Sequence, residues 1–202
     1  MGQYYKVLTT TGKRSKVYDR SIIINGKAEY TMAKLMEHSW WGNAFVDSFC
    51  RTLYRKRRRV VWMGDYANDY IERYPGGING YSEKLLTKLY KKTWRKGLKN
   101  NAIEMSMLDL TGKFIVNHTK LQYIDCSQYY KRNVFHGDWC IHPLPIMTCL
   151  GNGLGGGDFS APTDDTTYSL VGTWAYDVIS IEDYYPVKYE EIKPVFKEKG
   201  WD

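Results

Sequence analysis

Val60-Val61-Trp62-Met63-Gly64-Asp65-Tyr66 is a run of four apolar residues that ends abruptly in a turn signal, and the pattern predicts a buried strand stopping at Gly64. The basic run Arg55 to Arg59 leads into it. Upstream, Asn43 has the chemistry of an N-cap, and Phe45, Phe49 and Leu53, with Val46 and Cys50 beside them, trace one face of the helix it would start. That helix should pack on a sheet. Downstream, a loop containing Pro75-Gly76-Gly77 leads to a second helix from Ser82 to Lys96, closed by Gly97. Its apolar side is Leu85, Leu86, Leu89, Tyr90 and Trp94; Lys84, Lys88, Lys91, Lys92, Arg95 and Lys99 recur on the other side.

Further strands are expected at Tyr4 to Thr9, at Ser21 to Ile24 before Asn25-Gly26, and at Lys113 to His118 and Leu121 to Asp125 around Thr119-Lys120. A short helix is expected around Met32, Leu35 and Met36. Trp139 to Leu150, Val171 to Ile181 and Tyr189 to Phe196 read as extended, with Pro143 and Pro145 barring a regular central strand. Helices that interrupt the strands without alternating regularly with them indicate an α+β fold: a mixed or mainly antiparallel sheet with two main helices packed on it. Residues 1–202 read as a single domain, with a basic helical insertion at about 68–100.

The chain has 202 residues, 43% of them apolar, enough for one substantial core. No run reaches the roughly 18 apolar residues of a membrane helix, and the N-terminus lacks a signal-peptide core, so a cytoplasmic protein with no membrane partner is expected. Gly2 invites a myristoylation reading, but Lys6 stands where that motif takes Ser or Thr. Cys50, Cys126, Cys140 and Cys149 form no C-x-x-C pair and are expected to be reduced and buried. Residues 1–100 carry 21 Lys and Arg against 8 Asp and Glu, net +13, whereas the remainder carries 8 against 14, net −6. Such a field favours phosphorylated ligands, nucleic acid or an acidic protein.

Gly151-Asn152-Gly153-Leu154-Gly155-Gly156-Gly157-Asp158 brings bare backbone within reach of a ligand. It contains G-x-G-x-x-G, but Asp158-Phe159-Ser160-Ala161-Pro162 is a poor helix start, which argues against a dinucleotide fingerprint, and no Lys-Ser or Lys-Thr follows to make a P-loop. A ligand loop using Asn152 and Asp158 and a purely structural chain reversal both fit. Asp65, with Tyr66, follows a buried strand where side chains project into clefts, though an Asx turn fits as well. Glu37, His38, Trp40 and Asn43 place a carboxylate, an imidazole, a stacking ring and an amide within seven residues, or else form a helix end with Asn43 capping the next helix. His136, Asp138 and His142 would share a strand face, but no supporting metal motif accompanies them, and neither metal nor cofactor is expected. With 18 Tyr and seven Trp, stacking partners for a base are plentiful.

Several segments together resemble a group of uncharacterised proteins from bacteria and their phages: Met1 to Tyr5, Lys34 to Trp40, Val60 to Ala67, Ile115 to Asp125, Ile141 to Pro145 through Asp158, and Val171 to Ala175 with Asp177. The resemblance spans nearly the whole chain and carries no activity with it. The chain departs from the group's pattern in the basic stretches Arg55 to Arg59 and Lys84 to Lys99, which moves the expected site toward the loops. The resulting expectation is a cytosolic binder of a small phosphorylated, nucleotide-like ligand, in a phage setting one that sequesters a host signalling nucleotide. Its site residues would be Glu37, His38, Trp40, Asn43, Asp65, Tyr66, Gly151, Asn152, Gly153, Gly155, Gly156, Asp158 and Trp174. One alternative is a hydrolase using His38 or His142 as acid or base with Asp65 orienting it or a water. The other is a module binding nucleic acid or acidic protein through Lys84, Lys88, Lys91, Lys92 and Arg95.

Overall fold

The computed structural model describes residues 3–11, 22–24, 34–35, 39–94, 107–130, 141–151 and 169–196. They form an α+β fold around one mostly antiparallel sheet, ordered β2-β1-β3-β7-β4-β5-β8 with β6 also on β3. The strands are β1 (Tyr5–Thr11), β2 (Ile22–Ile24), β3 (Arg58–Gly64), β4 (Phe114–Asn117), β5 (Gln122–Asp125), β6 (Cys149–Leu150), β7 (Val178–Glu182) and β8 (Glu190–Glu191). The helices are α1 (Ala44–Leu53), α2 (Ala67–Glu72), α3 (Glu83–Trp94), α4 (Ser127–Tyr130) and α5 (Pro143–Thr148).

Strand β3 is central because both of its faces are apolar. Val60 and Trp62 join Val7, Ile179, α1 and α5 in one core, while Val61 and Met63 join Leu8, Leu150, α2 and α3 in another. The sheet therefore lies between two helical layers, and residues 67–94 supply α2 and α3 to the second. One edge of β3 pairs throughout with β1. The other edge is shared: Arg58 and Arg59 pair antiparallel with β7, and Trp62 and Met63 pair parallel with β6. Residues 171–176 form a turn between those two partners, with the Tyr176 N–H bonded to Val60 O and the Trp174 N–H to Met147 O.

Helix α1 forms as its sequence dictates, with the Asn43 side chain accepting from the Phe45 and Val46 N–H groups. The β4–β5 hairpin likewise closes over the expected turn, Asn117 Oδ1 accepting from the Thr119 and Lys120 N–H groups. Three expectations are corrected. Residues 143–148 are helical, since Pro143 and Pro145 lie in the first turn, where a missing N–H removes no intrahelical bond, and His142 caps Leu144. Of Val171 to Ile181 only the part from Val178 on is in a strand, β7, which continues to Glu182, because positive φ at Gly172 and Tyr176 turns the chain before it. Only Glu190–Glu191 of Tyr189 to Phe196 is in a strand. The expected helix around Met32 and Met36, and the end of the second helix at Arg95 to Gly97, lie outside the described residues.

Candidate functional site

The parallel pair β3–β6 brings two loop entries side by side. Trp62 pairs with Cys149 and Met63 with Leu150, so Gly64 and Gly151 meet at the carboxyl ends of the two strands. Neither position has room for a Cβ. At Gly64 it would meet Gln3 Nε2 at 2.8 Å and the Gly151 Cα at 2.9 Å; at Gly151 it would overlap the Tyr5 hydroxyl and Gln3 Oε1. Gln3 and Tyr5, joined by a 2.6 Å hydrogen bond from the Tyr5 hydroxyl, thus form a buried floor on the α1 side. Gly151 is required for that packing.

Asp65 stands at this end of β3. Its N–H donates to Tyr4 O and its Oδ1 accepts from the Tyr4 N–H, while its carbonyl accepts from the Tyr90 hydroxyl of α3 at 2.8 Å. Burial raises its pKa, and N–H donors from Tyr4, Asp65 and Tyr66 oppose the shift. Tyr4 and Tyr66 flank it with exposed rings, 39% and 43% accessible. Two residues back along β3, Met63 pairs with Lys6, which lies 4.4 Å from the Trp94 ring centroid, with its pKa lowered by burial. A carboxylate acceptor, two exposed rings and a half-buried ammonium are therefore gathered around one strand end.

The other expected site residues are placed elsewhere or not described. Asn43 is buried and spends its amide oxygen capping α1. Trp40 bridges to Ile141 at the start of α5, whereas Gly151 follows β6 beyond the far end of that helix. Trp174 is fully buried, its indole N–H donating to Gln122 Oε1 at 3.0 Å. His142 is fully buried: Nδ1 accepts from the Leu144 N–H at 3.1 Å, which leaves the proton on Nε2, 3.7 Å from Cys50 Sγ. Burial drives its pKa down to about 3 and pushes the Cys50 thiol up, so this Cys-His pair is an inert cap rather than an acid-base centre. Glu37, His38, His136, Asp138, Asn152, Gly153, Gly155, Gly156 and Asp158 lie outside the described residues, as does Arg95. No group of three or more metal-ligating side chains occurs among the described residues.

Two polar networks join residues far apart in sequence. Arg59 donates to the Tyr81 hydroxyl at 3.0 Å and to Tyr176 O at 3.1 Å; the Tyr81 hydroxyl donates to Asp177 Oδ1, and Asn117 Nδ2 donates to Asp177 Oδ2 at 2.9 Å. Burial raises the Asp177 pKa despite those donors, and burial with Asp177 pushes Tyr81 up to about 12. In the second network, Ser180 Oγ donates to Glu182 and accepts from His118 Nε2 at 2.7 Å, while His118 Nδ1 accepts from the Tyr189 hydroxyl. Asn117, His118 and Asp177 stood in the resembling segments and Arg59 in the basic run, but none was expected to join a network; separations of up to 117 positions leave no local pattern to find.

No family model, curated protein or solved structure matches the chain.

Proposed function

We propose that this protein binds a small phosphorylated, nucleotide-like ligand at the carboxyl ends of β3 and β6 and releases it unchanged. The observation that carries the reading is the meeting of Gly64 and Gly151 at the ends of adjacent parallel strands, beside Asp65. Crevices at the carboxyl ends of parallel strands are where open sheets hold ligands, because the loops diverge there. A carboxylate repels phosphate, so Asp65 suits hydroxyl or amino donors of a sugar or base, with Tyr4 and Tyr66 as stacking rings. The phosphate falls to backbone N–H groups of the glycine run and to Lys6. In the phage setting suggested by the sequence resemblance, such a protein would sequester a host signalling nucleotide in the cytoplasm. The hydrolase alternative loses His142, which is sealed in the core.

Native mass spectrometry of protein purified from a producing cell, followed by calorimetry with mono- and cyclic dinucleotides, tests the reading. Asp65→Ala and Tyr66→Ala should each weaken binding about tenfold or more, near 1.4 kcal/mol, with melting unchanged in Tyr66→Ala and lowered in Asp65→Ala by no more than the loss of its exposed bond from the Tyr4 N–H. Equal affinity in both variants, or no nucleotide binding at all, overturns it. Recovery of cleaved ligand would make the protein an enzyme.

A further inference from the structure

We infer that the outer face of α3, with the exposed end of α2, is a track for single-stranded nucleic acid, distinct from the small-ligand site. Lys84, Lys88 and Lys91 follow one another at four- and three-residue spacing and are all exposed, a stripe about 10 Å long at 1.5 Å per residue. The opposite face of the helix is committed to the core through Leu86, Leu89 and Thr93. Lys84 and Lys91 have no ion pair among the described residues, and Glu83 is the one acid on the helix. Lys92 adds to the field: its pKa is lowered by burial and by the neighbouring Lys88 charge, so like charges are crowded where a polyanion would relieve them.

Charge alone would suit an acidic protein, an anionic lipid surface or nucleic acid; the aromatic residues select the last. Helix α2 packs against α3, and its C-terminal side carries Tyr74, 46% accessible, its ring 4.8 Å from that of Tyr70. An exposed ring just past α2, on the layer that packs against the lysine-bearing helix, offers a base a stacking surface while the lysines follow the phosphates. Among the acids of this layer, Asp65 and Asp69 raise the Tyr90 pKa after burial, and Glu72, exposed at the end of α2, accepts from Asn68 Nδ2 at 2.6 Å.

The test is fluorescence anisotropy with a labelled oligothymidylate of about 20 nucleotides, between about 50 and 200 mM salt. Intact protein should bind with steep salt dependence. The triple variant Lys84→Glu, Lys88→Glu, Lys91→Glu should lose at least tenfold in affinity and lower the log-log salt slope by about 2, near 0.7 for each phosphate contact. The corresponding Lys→Gln triple, with its melting measured alongside, gives the same reading should charge reversal disturb folding. Tyr74→Ala should weaken binding about tenfold and Tyr74→Phe should not. Unchanged binding in the folded lysine variants overturns the proposal. So does full displacement of the oligonucleotide by free thymidine monophosphate, which would assign the binding to the small-ligand site. Binding to polyglutamate or phosphatidylserine vesicles with none to the oligonucleotide overturns it in favour of an acidic protein or a membrane surface.

Discussion

Asp47 is buried in the first turns of α1, and its Oδ1 has no hydrogen-bond partner among the described residues. Burial, and after it the Asp109 carboxylate, raises its pKa to about 7. Because the folded value lies above the ordinary value of about 4, the unfolded chain gives up this proton first as pH rises. Stability therefore falls from about pH 4 to about pH 7 on account of Asp47 and is flat above. His118 works the other way in the same window, since burial and then Arg57 hold it down to about 4. Its contribution is complete above about pH 6.5 and is lost as pH falls toward 4. Asp47→Asn should thus leave a protein whose stability rises with pH between 4 and 7, and one more stable than the parent at pH 8. Urea unfolding at pH 5 and pH 8 reads both effects, and a lower stability of the variant at pH 8 would refute the argument. At Gly151, even Ala should destabilise by roughly 2 kcal/mol or more, since Tyr5 and Gln3 occupy the space a Cβ needs. Melting temperature checks it.

Helix α5 shows where elements escape a sequence reading. Its prolines rule out a central strand, and they sit in the first turn of a six-residue helix too short to show a 3.6-residue period. By contrast β3, α1 and the β4–β5 hairpin were legible, because each announces itself through local apolar spacing or a turn residue acting within three positions, as Asn43 and Asn117 do. The same division holds at the site. Asp65 could be singled out because a strand ends there, whereas the floor of Gln3 and Tyr5 is visible only once β1 is seen to lie against β3. The cap on α5 is testable. His142→Ala should cost more than the roughly 1 kcal/mol of an ordinary cap because it also empties buried volume, and His142→Asn should recover the capping part. Differential scanning calorimetry separates the two, and equal losses in both variants would exclude capping as the role of His142.

Across the whole molecule, Asp177 ties remote pieces together: its carboxylate holds the turn before α3 through Tyr81, whose hydroxyl also accepts from Arg59 at the start of β3, and the β4 end through Asn117. Asp177→Ala should cost roughly 2 kcal/mol or more by leaving buried donors unpaired, with Tyr81→Phe costing about 1 kcal/mol; denaturant midpoints at a constant m-value check both. The shared edge of β3 has a consequence in time. Residues 58–64 leave the ribosome early, yet their second edge is completed only by Cys149–Leu150 and Val178–Glu182. Until then a nascent chain shows an apolar strand edge to its surroundings, and closure across more than half the sequence makes folding slow. A chain arrested before Val178 should collect in chaperone-bound or aggregated form, and supplying the missing tail as a separate peptide should bring part of it back into solution.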